Sequence, residues 1–232
     1  LDANLVAYYK FDYKIGTNIY DSARGYTGTL TNDANISARG MWDSNAIDFD
    51  GSDDYVSLAN PIGFDQNASF TISAWINTTE YGAITTMVGL KNLTPLQYVL
   101  LEAHNGLGKI ELYSGSGTAT VGGTTRIDDG QWHHIVGTLD GITHTASLYV
   151  DGVFNDSETF VESQQLTLSQ QSNIGAYING ARHFDGEIDE VKIYDKALTA
   201  EEIIADYNSF LDSNFVASGN SVIDGSTIRE WN

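Results

Sequence analysis

An all-β fold, two antiparallel sheets packed as a sandwich with one short C-terminal helix, is what this 232-residue chain predicts. Three observations carry the prediction. Short runs rich in Val, Ile, Thr, Tyr and Phe recur along the chain. Turn dipeptides separate them, with Asp-Gly at 50–51, 129–130, 140–141, 151–152, 185–186 and 224–225 and Asn-Gly at 105–106 and 179–180. No regular alternation with helices intervenes, so a sandwich or jelly roll is expected rather than an α/β sheet.

The elements follow in order. "SFTISAWINTT" (69–79), "QYVLLEA" (97–103), "KIELYSG" (109–115) and "HHIVGTLD" (133–140) read as strands. In "FTISAWI", Phe70, Ile72, Ala74 and Ile76 make the apolar face, which leaves Trp75 on the opposite face with Thr71 and Ser73. Trp132 opens its strand as an expected core residue. "SLYVDGVFND" is the clearest hairpin, and "SGSGTATVGG" (114–123) reads as a flexible one. "LTAEEIIADYNSF" is the helix: Thr199 with Glu202 three residues later forms a capping box, and Ile203, Ile204 and Tyr207 mark an apolar face. Periodicity weakens from Leu211. We therefore expect one domain over residues 1–210, with 211–232 a linker or the start of a further segment.

Composition narrows the partners. Eleven basic against 31 acidic residues give a formal charge of −20. That excess argues against nucleic acid, whose phosphates are bound chiefly through Lys and Arg, and against anionic lipid. It suits a protein that holds a divalent cation. There is no Cys, hence no disulfide framework. No apolar run approaches the roughly 18 residues of a membrane span, so no membrane insertion is expected. The opening "LDANLVAYYKF" has neither Met nor leader and reads as a mature or excised segment.

Eight stretches then occur in a telling order: "LVAYYKFD" (5–12), "DSARGYTGTL" (21–30), "AIDFDGSDDYVSL" (46–58), "FTISAWI" (70–76), "DGQWHHIVGTLDG" (129–141), "LYVDG" (148–152), "IGAY" (174–177) and "FDGEIDEVKIYDKALTAEEI" (184–203). Over residues 4–208 the chain resembles a laminin G-like domain of the concanavalin A-like lectin and glucanase superfamily. The resemblance implies a concanavalin A-like jelly roll in a secreted or cell-surface protein. It also implies carbohydrate or protein binding, often with a calcium ion.

Glucanases of that superfamily carry Glu-x-Asp-x-Glu on one strand, where residues i, i+2 and i+4 share a face, and a retaining pair needs carboxyls about 5–5.5 Å apart. Here Glu187 and Asp189 are followed by Val191, and a bulged version would need Lys192. The triad is broken, and we expect no enzyme. Period-2 alternation puts Asp189 on the face of Val191 and Ile193, at the mouth of the core, with Ile188 and Tyr194 on the other face. A carboxylate there needs hydrogen bonds, a pairing cation or a metal. His133 and His134 are strand neighbours facing opposite ways, poorly placed to chelate one ion. His134 is expected to pack and His133 to bond a neighbouring strand.

Calcium takes six to eight oxygens. The family fold brings first and last strands together, so Asp21 and Asp189 are the principal expected ligands of a structural calcium, with Asp12 and Asp48 weaker ones. Ordinary turn capping by Asp21 is the competing reading. For a sugar, flat aromatic faces are needed, and Tyr81 and Tyr177, beside glycines in expected loops, are the candidate ligand-binding residues. The expected function is a non-catalytic, lectin-like carbohydrate-binding module of a larger secreted or surface protein. A protein-interaction or spacer domain of an extracellular adhesin is the alternative, and a glycan-processing enzyme ranks below both.

Overall fold

The computed structural model describes residues 2–37, 39–41, 44–58, 68–93, 96–113, 118–160, 171–177 and 181–217. The dipeptides at 179–180 and 224–225, part of the hairpin expected at 114–123, and residues 218–232 lie outside them. The first strands are β1 Leu5–Tyr9, β2 Asn18–Tyr20, β3 Thr27–Thr31, β4 Asn35–Ser37, β5 Ala46–Asp50 and β6 Tyr55–Leu58. Then come β7 Phe70–Asn77, β8 Ile84–Leu93, β9 Leu96–His104, β10 Leu107–Tyr113 and β11 Thr118–Arg126. β12 Trp132–Asp140, β13 Thr145–Val150, β14 Val153–Thr159, β15 Gln171–Ile174 and β16 Asp185–Tyr194 follow, and helix α1 spans Ala200–Ala217.

Two antiparallel sheets result. One runs β14-β13-β12-β7-β16-β5-β4, with β1 also pairing β16. The other runs β11-β10-β9-β8-β15-β6-β3-β2. The core between them takes Phe70, Ile72, Ala74 and Ile76 from β7 and Val99, Leu101, Ile110 and Leu112 from β9 and β10. Gly137 is demanded by this packing, since a Cβ there would lie 2.4 Å from Ile110 Cδ1.

Turn chemistry sets the register at two hairpins. Asn105-Gly106 has φ of 53° and 71°, and Asp151-Gly152 has 52° and 75°, the paired positive values a two-residue hairpin needs. Asp140-Gly141 behaves differently: Asp140 Oδ1 accepts from the N–H groups of Ile142 and Thr143, and the turn closes only at His144, φ 54°. Asp185-Gly186 is no turn at all, lying inside β16.

β7 is buried on both faces because α1 covers the outer one. Trp75 is 2% exposed, its ring 5.0 Å from that of His134 and 5.5 Å from that of Tyr207. The capping box forms reciprocally, Thr199 N–H to Glu202 Oε2 at 2.9 Å and Glu202 N–H to Thr199 Oγ1 at 3.2 Å. Ile203 is buried, whereas Ile204, expected on the same face, is 46% exposed. Trp132 departs from expectation too: only half-buried, it lines a shallow pocket with Met41, Trp75 and Tyr207. The helix continues past Leu211 to Ala217. Among the described residues no helix is long and apolar enough to cross a membrane.

β16 overturns the expected face assignment. Glu190 has φ 52°, and the pairing with β7 shifts between Asp189 and Lys192, a bulge. One extra residue reverses the alternation. Ile188 therefore joins Val191 and Ile193 in the core, and Asp189 falls on the outer side.

Candidate functional site

The outer face of the second sheet gathers aromatic and charged side chains by simple alternation. Val99 and Leu101 point into the core, so Tyr98, Leu100 and Glu102 of β9 point away from it. On β10, Ile110 and Leu112 face inward and Lys109, Glu111 and Tyr113 outward. Registers Lys91↔Tyr98 and Tyr98↔Tyr113 set Lys91, Tyr98 and Tyr113 side by side across three strands. Tyr177, just beyond β15, hydrogen-bonds through its N–H to the Ala181 carbonyl and leans over the row.

The tyrosines form a platform. Tyr98 and Tyr113 stack at 5.1 Å, and Tyr177 meets Tyr98 edge-on at 5.8 Å. Arg182 lies 5.0 Å and Lys91 5.7 Å from the Tyr177 ring centre. All three tyrosines are half-buried. Beneath them runs a fixed ionic network. Glu102, fully buried, accepts from Arg182 Nη1 at 2.6 Å, Lys109 Nζ at 3.0 Å and Thr86 Oγ1 at 3.2 Å. Glu111 accepts from Lys109 Nζ at 2.5 Å and the Tyr98 hydroxyl at 3.0 Å. Burial pushes the Glu111 carboxyl up, but the hydrogen bond and charge of Lys109 outweigh it and hold it below its usual value. Asn173, opposite Gly89 on the same face, keeps its Oδ1 buried with no hydrogen-bond partner.

Of the two tyrosines expected to bind ligand, Tyr177 belongs to this platform. Tyr81 is 63% exposed and packs under Arg126, with the guanidinium 4.9 Å from its ring centre, apart from the platform contacts. Tyr98, Tyr113 and Lys91 escaped the sequence reading. Part of the signal was present: "KIELY" alternates cleanly, with Lys109, Glu111 and Tyr113 on one parity and Ile110 and Leu112 on the other, whereas in "QYVLLEA" Gln97 and Leu100 break the pattern.

The four expected metal ligands meet partners within the protein. Asp21, 4% exposed, accepts four backbone N–H groups, from Tyr8, Ala23, Arg24 and Tyr26 at 2.5 to 3.3 Å. Such donors surround the oxygens with positive dipole ends, the turn-capping alternative. Asp189 is satisfied by Met41 N–H and Ser44 Oγ, both at 3.1 Å, and by Glu190 N–H at 2.8 Å. Burial first, then the Glu190 charge, push the Asp189 carboxyl up to about 8. Asp48 pairs with Arg39 at 3.5 Å, and the Asp12 carbonyl accepts from Asn45. Among the described residues, the acidic group whose oxygens lie within 4.8 Å of one another is instead Asp50, Asp53 and Asp54.

The carboxylates that open β16 border a different hollow of about 360 Å³, lined by Arg39, Asp48, Asn77, Asp185 and Glu187. Arg39 pairs with Glu187 at 3.0 Å. Beyond the bulge, where the Glu190 carboxylate accepts from the Tyr8 hydroxyl, the strand turns Lys192 and not Val191 to the outer face. Its ammonium is bound to Asp206 and lies 4.5 Å from the Phe210 ring centre. His133 bonds Asp151 at 2.8 Å and Asp129 at 3.2 Å, while buried His134 stacks on Trp75, so the two are not joint ligands.

Residues 50–204 match the laminin G family model described as concanavalin A-like lectin/glucanases superfamily. The chain belongs to this superfamily. Among solved structures, the binding domain of Paraclostridial Mosquitocidal Protein 1 is similar at TM-score 0.74 and 18% identity, over 90% of this chain and 53% of that one. A botulinum neurotoxin type C structure, from work on cell entry dependent on two ganglioside molecules, is similar at TM-score 0.68 and 14% identity, over 89% and 51%. This superfamily member thus spans about half the length of those toxin chains. Domain 4 of AbnA, a GH43 extracellular arabinanase from Geobacillus stearothermophilus, in complex with arabinotriose, is similar at TM-score 0.68 and 21% identity, over 87% and 97%. At such identities the likenesses establish the fold. No curated protein sequence matches.

Proposed function

We propose that this chain is a non-catalytic carbohydrate-binding module of a larger secreted or cell-surface protein, with its ligand on the outer face of the β11–β2 sheet. The observation that carries the reading is the half-buried Tyr98, Tyr113 and Tyr177 platform held by the Glu102–Lys109–Glu111 network. Sugar rings present flat C–H faces that stack on such rings, and the fixed polar groups at the edge supply orientation. Superfamily membership supports it, as does the full-length likeness to an arabinanase domain seen with arabinotriose. The non-catalytic part is supported by Lys192 standing, ion-paired, where a bulged strand would need a carboxylic acid.

The test is a soluble glycan and polysaccharide array probed with the wild type, Tyr98→Ala and Tyr113→Ala. Each substitution is expected to weaken binding by about tenfold or more, the cost of one lost stacking partner. Binding that survives both at full strength sinks the assignment of the face. Hydrolysis of any bound glycan sinks the non-catalytic reading. One observation favours protein binding instead: edge strand β14 exposes Val153 and Phe154 at 63% and 53%. A blank array from folded protein would favour that reading.

A further inference from the structure

We infer that the ligand of this face carries an acidic group, a uronic carboxylate or a sulfate ester, received by Lys91. The inference rests on the carbohydrate reading above and names its substrate class. The platform holds three cations, Lys91, Lys109 and Arg182, against two carboxylates, Glu102 and Glu111. Lys109 bonds both carboxylates and Arg182 bonds Glu102. Lys91 bonds neither.

That leaves an ammonium in an unusual position. Lys91 is 7% exposed, yet among the described residues it makes no ion pair and no hydrogen bond. Among the described residues its contact is the Tyr177 ring, 5.7 Å from the nitrogen. Burial alone lowers the pKa of its ammonium, with no neighbouring carboxylate to restore it. Taking an ammonium out of water without a partner is costly, and this chain has 31 acidic residues from which a partner could have come. A carboxylate delivered by the ligand supplies what the fold withholds. The nitrogen itself is not fully enclosed.

Position makes the anion part of a sugar. Lys91 is the register partner of Tyr98, so its ammonium borders the tyrosine platform on which a ring would lie. A pyranose stacked there turns its substituents toward the platform's edge, where Lys91 waits on one side. A charge-assisted contact at such a site discriminates strongly against a neutral analogue.

The experiment titrates the whole chain with an oligogalacturonate, a sulfated oligosaccharide and a neutral arabino-oligosaccharide, using wild type, Lys91→Met, Lys91→Arg and Tyr98→Ala. The expected result is binding of an acidic ligand that Lys91→Met weakens by about ten- to hundredfold. Lys91→Arg retains most of it, and added salt weakens it in the wild type. Whether the uronate or the sulfated ligand binds identifies the anion. Lys91→Met should melt no lower than wild type, because it removes an unpaired buried charge; this separates lost recognition from lost folding. Equal binding of the acidic ligand by wild type and Lys91→Met would overturn the inference. So would wild-type binding of the neutral ligand alone, sensitive to Tyr98→Ala, though the carbohydrate reading would then survive. Binding of none of the three, with a blank array, would remove that reading itself.

Discussion

Asp21 shows how one carboxylate can be met on several sides by backbone donors. Its four backbone N–H donors come from both its own turn and β1, so the carboxylate ties the 21–26 loop to the first strand. Removing it orphans buried donors, each costly to leave unmade. Asp21→Ala is expected to lose about 3 kcal/mol in denaturant unfolding. The loss should be the same in calcium and in chelator; a loss confined to the calcium sample would restore the ion. His134 makes a related point. Burial pulls its pKa down to about 4, so the ring packs neutral against Trp75. Tyr98 and Glu111 show the opposite use of a buried polar group, where hydroxyl, carboxylate and ammonium fix one another.

At the scale of elements, two local features decide which surfaces remain open. The Glu190 bulge turns Asp189 outward and places Lys192 beneath α1, where its ammonium pairs with Asp206. The helix in turn closes the outer face of β7 over Trp75, while the second sheet's outer face keeps its tyrosines open. The helix start rests on the Thr199–Glu202 box. Thr199→Ala should therefore cost about 1 kcal/mol, measured by denaturant unfolding with Trp fluorescence as the probe. No change would mean that packing of Ile203 and Tyr207 holds the helix without its cap. The box was legible in the sequence because it is a contact between residues three apart. The bulge was not, because an extra residue in a strand leaves no mark on local composition.

At the scale of the molecule, the charge of −20 acts on the whole sandwich. Mutual repulsion of surface carboxylates opposes compaction and is screened within roughly 10 Å at 0.1 M salt. The melting temperature is expected to rise between 0.01 and about 0.3 M sodium chloride. A flat or falling curve would show that local ion pairs such as Arg39–Glu187 outweigh the net repulsion. Period-2 alternation, the Asn105-Gly106 and Asp151-Gly152 turns and the capping box are interactions between near neighbours, and from them the sequence alone determined the sandwich and its closing helix. Tyr177 was found the same way, by its place beside glycines. The platform was not, because Lys91, Tyr98, Tyr113 and Arg182 meet only through strand register and a loop that folds back over β9. Nor could composition say whether Asp21 faces donors or a cation, since that depends on which backbone N–H groups the fold aims at it. Short-range chemistry is written along the chain; partners brought from a distance are chosen by the tertiary structure, and in this protein the candidate site is made almost entirely of such partners.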